Sequence, residues 1–285
     1  MCLQVLEAEF ASHRGDHVWR GQVACTDGVL FKQTNPGSAV PDPNRYFVAR
    51  KNEFAILCMA ACDYNRRFLS YDMSMAATTH DSLAHAASTF GKALEAGLLP
   101  EPFFINGDNA FNATNYMIIP GGTPELDAFD YVQSSSRMPI ECAFGMLVRR
   151  FGVLWRPINV RFDRRTAMIG CCMRLHNICI DSRIAEETML VNGLGQTQPG
   201  RWEPVPKFDK EGRPVEYLDT CNGPMQNRLA TRQVPNNTTD CFRRRNELVA
   251  SITAAAIIRP ELARGLHKRK KKKKGRAPLA KLQQA

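Results

Sequence analysis

Residues 134–152 read SSSRMPIECAFGMLVRRFG, and the rest of the chain is best read outward from them. Ile140, Phe144, Leu147 and Phe151 recur at three- and four-residue intervals, which places them on one stripe of a helix. Pro139 suits a first helical turn, and the three serines before it can cap the free amides there. A helix starting near residue 139 is therefore expected. Glu141 lies at the border of the stripe, roughly a quarter turn from its centre at about 100° per residue. Gly145 and Arg149 stand beside it on the outer side. A carboxylate next to a glycine and an arginine, at the rim of a buried face, can meet a metal or a phosphate. An ordinary amphipathic helix also carries such a residue at its boundary, so the neighbouring segments have to decide.

Upstream, Pro120 to Tyr131 is rich in Gly, Pro and Asp and reads as a loop. Before it, Pro102 to Asn106 is a short strand followed at once by Gly107 and Asp108, with a helix or irregular turn expected through Ile119. Leu83 to Leu98 reads as one helix, with cap residues at Thr78 to Ser82. Phe54 to Cys62 and Arg66 to Tyr71 read as two strands joined by a turn at Asp63–Asn65, hence an antiparallel pair. Trp19 to Lys32 contains the strand formers Val23, Val29, Leu30 and Phe31. Asp27-Gly28 in its middle has two readings. It is either the tip of a hairpin, or an acidic ligand on rigid backbone with a glycine allowing close approach.

Downstream, Val153 to Phe162 has extended character, and Arg164 to Asp181 reads as a buried helix, apolar nearly all round from Ala167 to Cys172. Composition then shifts toward Gly, Pro, Gln, Asn and Thr. The expected organisation is a lead-in at 1–18, a main domain at 19–185, a linker at 186–237, a helix at 238–260 and a basic tail at 261–285.

The net charge of +10 is concentrated. Lys268 to Lys274 and Arg276 carry most of it, leaving about +2 for the rest. The folded body is thus not strongly basic. Ten cysteines without regular spacing, several in apolar stretches, read as buried reduced thiols of a reducing compartment rather than a disulfide framework. No signal peptide is read at the start, and no apolar run approaches the roughly 18–20 residues that span a bilayer.

The acids now fall into an order. Asp27 lies in the first strand, Asp81 at a helix start, Asp108 just past a strand end where ligands of open α/β sheets gather, and Glu141 on the later helix. Three strands, a helix, a strand and then helices match an α/β, ribonuclease-H-like mixed sheet flanked by helices. Oxygen ligands suit Mg²⁺ or Mn²⁺. Two such ions, about 3.5–4 Å apart, can activate an attacking water and stabilise a leaving oxygen on phosphorus.

Six segments carry a resemblance: TDGVLFK around Asp27, ARKNEFAILCMAACDYNRRF at 49–68, TTHDSLAHAASTF around Asp81, FFINGDNAF around Asp108, SSSRMPIECAFGMLVRRFGVL around Glu141, and RLHNICID at 174–181. In this order, over residues 19–183, the chain resembles the DDE-superfamily endonuclease domain of Harbinger-type transposases and their domesticated relatives. The 33-residue spacing from Asp108 to Glu141 is similar to that of many such families. The resemblance implies four metal ligands, Asp27, Asp81, Asp108 and Glu141. Of these, Asp27, Asp108 and Glu141 are the catalytic set, acting with two Mg²⁺ or Mn²⁺ ions on a DNA phosphodiester by hydrolysis or strand transfer.

The sequence departs from the family at several points. Phe111 stands where the family often has a tyrosine, and Ala76-Ala77-Thr78-Thr79 replaces a segment that often holds Pro-Gly. Full members carry an N-terminal helical DNA-binding region, whereas 26 residues precede Asp27 here. The front is therefore read as truncated, or DNA targeting as the work of a separate Myb-like partner. The alternative to an enzyme is a domesticated, inactive copy serving as a nuclear DNA- or protein-interaction module. No membrane partner is expected, and an oligomer is compatible with the resemblance.

Cys172, His176 and Cys179 share a helix face at a spacing zinc can use, although packing on the core is the reading favoured for them. Arg137 and Arg149, near Glu141, are candidates for DNA phosphate contacts, as more weakly are Arg50-Lys51; a solvated face is the alternative. Lys268, Arg269 and Lys270 open a run that reads as a nuclear localisation signal or a disordered DNA-binding arm.

Overall fold

Val23, Val29, Leu30 and Phe31 build one unbroken strand, β1 (Gln22–Gln33), that runs straight through Asp27-Gly28. Its partner on one side is the antiparallel β3 (Glu53–Cys62), with Asp27 opposite Ala60. On the other side runs the short parallel strand β5 (Phe104–Asn106). The hairpin reading of Asp27-Gly28 is thereby excluded: a strand paired on both sides overrides the local turn preference. The computed structural model describes residues 3–14, 18–193, 207–208, 214–215 and 239–259.

The mixed sheet has six strands. Beyond β3 lie β2 (Phe47–Val48) and β4 (Phe68–Asp72), both antiparallel to it. Beyond β5 lies the parallel β6 (Met117–Ile118). This is the expected α/β architecture, four strands in antiparallel pairing extended by two parallel ones, with helices against it. A further two-residue pair, β7 (Lys207–Phe208) and β8 (Pro214–Val215), stands apart from the sheet. Parallel strands need a crossover, and the segment between β4 and β5 supplies it with two helices. They are α2 (Asp81–Ala87) and α3 (Thr89–Glu95), not the single helix expected over 83–98. Ser88 separates them: its backbone is extended, and its Oγ accepts from Gly91 N at 2.9 Å.

The opening stretch belongs to a longer helix than expected. α4 runs from Asp127 to Arg150, so the serines are internal and Pro139 lies in the helix interior. Buried positions Phe129, Val132, Ser136, Ile140, Ala143 and Leu147 form one continuous stripe. That burial outweighs the single backbone bond a proline removes. The loop expected at 120–131 is accordingly shorter, and Asp130 ties it to the helix start by accepting from Gly121 N and Gly122 N at 2.7 and 2.9 Å.

α5 (Phe162–Gly193) follows. Between α4 and α5, the stretch expected to be extended is a short 3-10 turn at Gly152–Leu154, and only Ile158 bridges to the sheet, at Gln33. One core layer joins α4 and α5 to Cys25, Phe31, Ile56, Cys58 and Ala60. The opposite layer joins Ala84 and Leu94 to Val23, Leu57, Met59 and Ile105. The described cysteines are free thiols, and no described helix is long and apolar enough to cross a membrane.

Two outer helices complete the body. α1 (Leu3–Arg14), expected only as a lead-in, buries Leu6 and Phe10. α6 (Thr239–Ala254) buries Leu248 and Ile252 against Trp19, Phe104 and Phe129.

Candidate active site

The register of β1 and β5 sets the geometry. Cys25 is paired with Asn106 in the parallel ladder. Asp27 and Asp108 are each two residues further on, so neighbouring strands deliver them side by side. Asp27 leaves β1 on the α4 side. Its Oδ1 accepts from Gly28 N at 2.8 Å and its Oδ2 from Arg137 Nη1 at 3.0 Å. Burial, with the negative charges of Asp108 and Glu141, pushes its carboxyl up to about 7, against the pull of Arg137 and the Gly28 amide.

Asp108 follows β5 after Gly107. Its Oδ1 accepts from Ala110 N at 2.8 Å, which fixes the turn. Gly107 is needed here, because a Cβ would come within 2.8 Å of Met117 Sδ and 2.9 Å of the Phe111 ring. Asp81 opens α2 and lies over Gly28 on the other face of β1, where a Cβ on Gly28 would come within 2.8 Å of Asp81 Oδ1. Burial and then the charge of Asp108 raise the Asp81 carboxyl, while His80 and Arg50 lower it. Three carboxylates therefore meet at the middle of β1, delivered by β1 itself, by α2 and by the turn after β5.

Glu141 is more open, with 41 % of its side chain exposed. It does not face the aspartates bare. Arg137, one helical turn earlier, donates from Nη2 to Glu141 Oε1 at 2.5 Å and from Nη1 to Asp27. Arg137 is 5 % exposed. The sequence offers it as a candidate for a DNA phosphate contact, with a solvated face as the alternative; its guanidinium is instead turned inward and spent on two of the candidate ligands. Arg149 does lie on the exposed end of α4, in line with Glu141 and Gly145 at four-residue intervals. A Cβ at Gly145 would meet nothing within 4 Å, so the surface there is open.

The donor chemistry suits a hard divalent cation, since every candidate ligand is a carboxylate and their charges accumulate. The arrangement, however, does not present an assembled site. Among the described residues, no three Asp, Glu, His or Cys side chains are grouped to hold an ion. Arg137 fills the place between Asp27 and Glu141 instead.

Residues that the sequence did not single out hold this frame. Gln133 Nε2 donates to Gly107 O at 2.6 Å, fastening the backbone just before Asp108 to α4. Gln22 donates to Ser136 O at 3.0 Å and accepts from Trp19 Nε1 at 2.6 Å. Asn106 donates to Gln22 Oε1 and Ser136 Oγ at 3.0 and 2.7 Å. The signal for them was present: Gln133 and Ser136 lie on the buried side of the helix that carries Arg137, and buried polar groups must be paired.

The zinc reading of Cys172, His176 and Cys179 gains nothing. His176 places Nε2 at 2.9 Å from Arg66 O and Nδ1 at 3.1 Å from Arg150 Nη1, and Cys179 is exposed. Lys268, Arg269 and Lys270, with the basic tail and most of the expected linker, lie outside the described residues.

No curated protein and no solved structure matches the chain. A family profile described as DDE superfamily endonuclease matches residues 26–177. That span is more than half of the sequence, includes all four acids and Arg137, and coincides with the sheet and the helices that frame them. The chain belongs to the DDE superfamily endonuclease family.

Proposed function

We propose that this chain is a divalent-cation-dependent DNA endonuclease of Harbinger-type transposase descent, cutting or transferring strands at phosphodiester bonds. The observation that carries the reading is the β1–β5 register, which brings Asp27 and Asp108 together with Asp81 and Glu141 at the rim. Asp27, Asp81 and Asp108 would hold Mg²⁺ or Mn²⁺, with Glu141 completing the set. The ion supplies Lewis-acid stabilisation at phosphorus and a nucleophilic oxygen at neutral pH.

The chain's own residues do the rest. Asp27 and Asp108 are fixed by backbone amides, so they cost little reorganisation when substrate binds. Arg149 and the open surface at Gly145 receive the DNA backbone beside Glu141. Sequence selection by a separate Myb-like partner and nuclear import through the 268–274 run belong to the same proposal.

One observation favours a second reading, a nuclear interaction module that does not cut: Arg137 already forms ion pairs with Asp27 and Glu141. Nicking of supercoiled plasmid with Mg²⁺ or Mn²⁺ separates the two. Asp108→Ala and Glu141→Ala should each lower cleavage at least about a hundredfold, since even outer-shell partners of a metal cost ten- to hundredfold. Equal nicking by all three proteins would remove these acids from the chemistry.

A further inference from the structure

Arg137 occupies a position that its residue type makes consequential. Arginine cannot be deprotonated in a protein, so its charge cannot be titrated away. Its guanidinium is a planar fork that grips two carboxylates at once, here Asp27 on β1 and Glu141 on its own helix. It is buried, and its Nε has no hydrogen-bond partner among the described residues. The same carboxylates are those that a metal ion would need. Two cations cannot both hold Glu141 Oε1 and Asp27 Oδ2 without repelling each other at short range.

We infer that Arg137 is a built-in competitor for the metal, a positioning residue that withholds Glu141 until an ion displaces it. The inference rests on the proposed reading of the acids as a divalent-cation site. The guanidinium pairs with both carboxylates and locks α4 to β1. Asp27 and Asp108 would hold the ion, Arg137 would be repelled from it, and Glu141, released, would join the ligand set. The exposure of Glu141, against the burial of Arg137, gives the carboxylate the freedom to turn once released.

The test is Mn²⁺ binding to the full chain by titration calorimetry, a measurement that needs no cleavage. Wild type, Arg137→Gln, Glu141→Gln and the double variant are compared, with Asp108→Asn marking the site. Arg137→Gln should bind Mn²⁺ at least about tenfold more tightly than wild type. Adding Glu141→Gln should abolish that gain, because the released carboxylate is then missing. Arg137→Gln binding no tighter than wild type, or a gain that survives Glu141→Gln, overturns the inference. If Arg137→Gln does not fold, Arg137→Lys carries the test: one ammonium cannot span both acids, so a smaller tightening is expected and none overturns it. Asp108-dependent binding without tightening refutes this inference alone. No Mn²⁺ uptake by wild type or by any Arg137 variant refutes it together with the metal-site reading.

Discussion

Gly28 shows how one missing methyl group places a carboxylate. A Cβ there would come within 2.8 Å of Asp81 Oδ1 and 3.0 Å of Met59 Sδ. Both obstacles are the far ends of side chains, so Gly28→Ala should leave the fold within about 1 kcal/mol of wild type while displacing Asp81. Thermal melts should stay nearly coincident and metal-dependent plasmid nicking should fall about tenfold or more, the scale for a disturbed metal shell; unchanged nicking would show that Asp81 is not needed over Gly28.

Asp63 supplies a separate test. Burial lifts its carboxyl to about 6, despite the Arg67 amide and guanidinium. A folded-state pKa above the unfolded one means that its contribution is complete below about 3.9 and lost as pH rises through about 6. Asp63→Asn should therefore gain on wild type between pH 4 and 7.5, by up to about 3 kcal/mol, in urea melts at the two pH values; a constant difference between the proteins would contradict the raised pKa. At this scale the placement of Asp27 within a strand and of Asp108 just past a strand end was legible, because acids stand out there; Asp81 and Glu141, on helices, stood out only through the resemblance. The depth of Arg137 was not. Sequence places it one turn before Glu141, but an unpaired arginine is rarely buried, and its partner Asp27 is 110 residues away.

Hydrophobic periodicity marks most of the elements, and it misleads at a cap residue and at an interior proline. Pro139 suits a helix start, yet the apolar stripe already runs upstream through Val132 to Phe129. The break at Ser88 was hidden because alanines and leucines continue on both sides of it. Gly91 is what allows the two short helices to abut: a Cβ there would lie 2.0 Å from His85 O, a backbone atom that cannot swing away. Gly91→Ala should thus cost about 2–3 kcal/mol by overpacking, read as a lower urea midpoint. A shift below about 0.5 kcal/mol, the range of an ordinary surface change, would mean that the helices do not meet so closely.

The whole molecule is closed by a helix assigned from the sequence to a separate segment. Composition between 186 and 237 suggested a boundary, but composition carries no information about what a later helix packs on. Leu248, 2 % exposed, completes a cluster with Trp19, Phe104 and Phe129. Leu248→Ala should cost about 2–4 kcal/mol and lower the melting temperature of the entire endonuclease fold; a separate, early transition with the main one unmoved would show that α6 is an appendage.

Both outer helices grip the same few residues before β1. Glu7 of α1 accepts from Gly21 N at 2.9 Å, and Arg244 of α6 donates to Arg20 O at 2.6 Å across 224 residues. For a chain made from its N-terminus, this has a consequence in time. The sheet and all four acids leave the ribosome long before residue 244, with Trp19 and Phe104 uncovered until α6 follows. A message ending anywhere in 194–238 would encode every catalytic candidate and still give a product with a bare apolar face, marked for chaperones and proteases rather than for DNA.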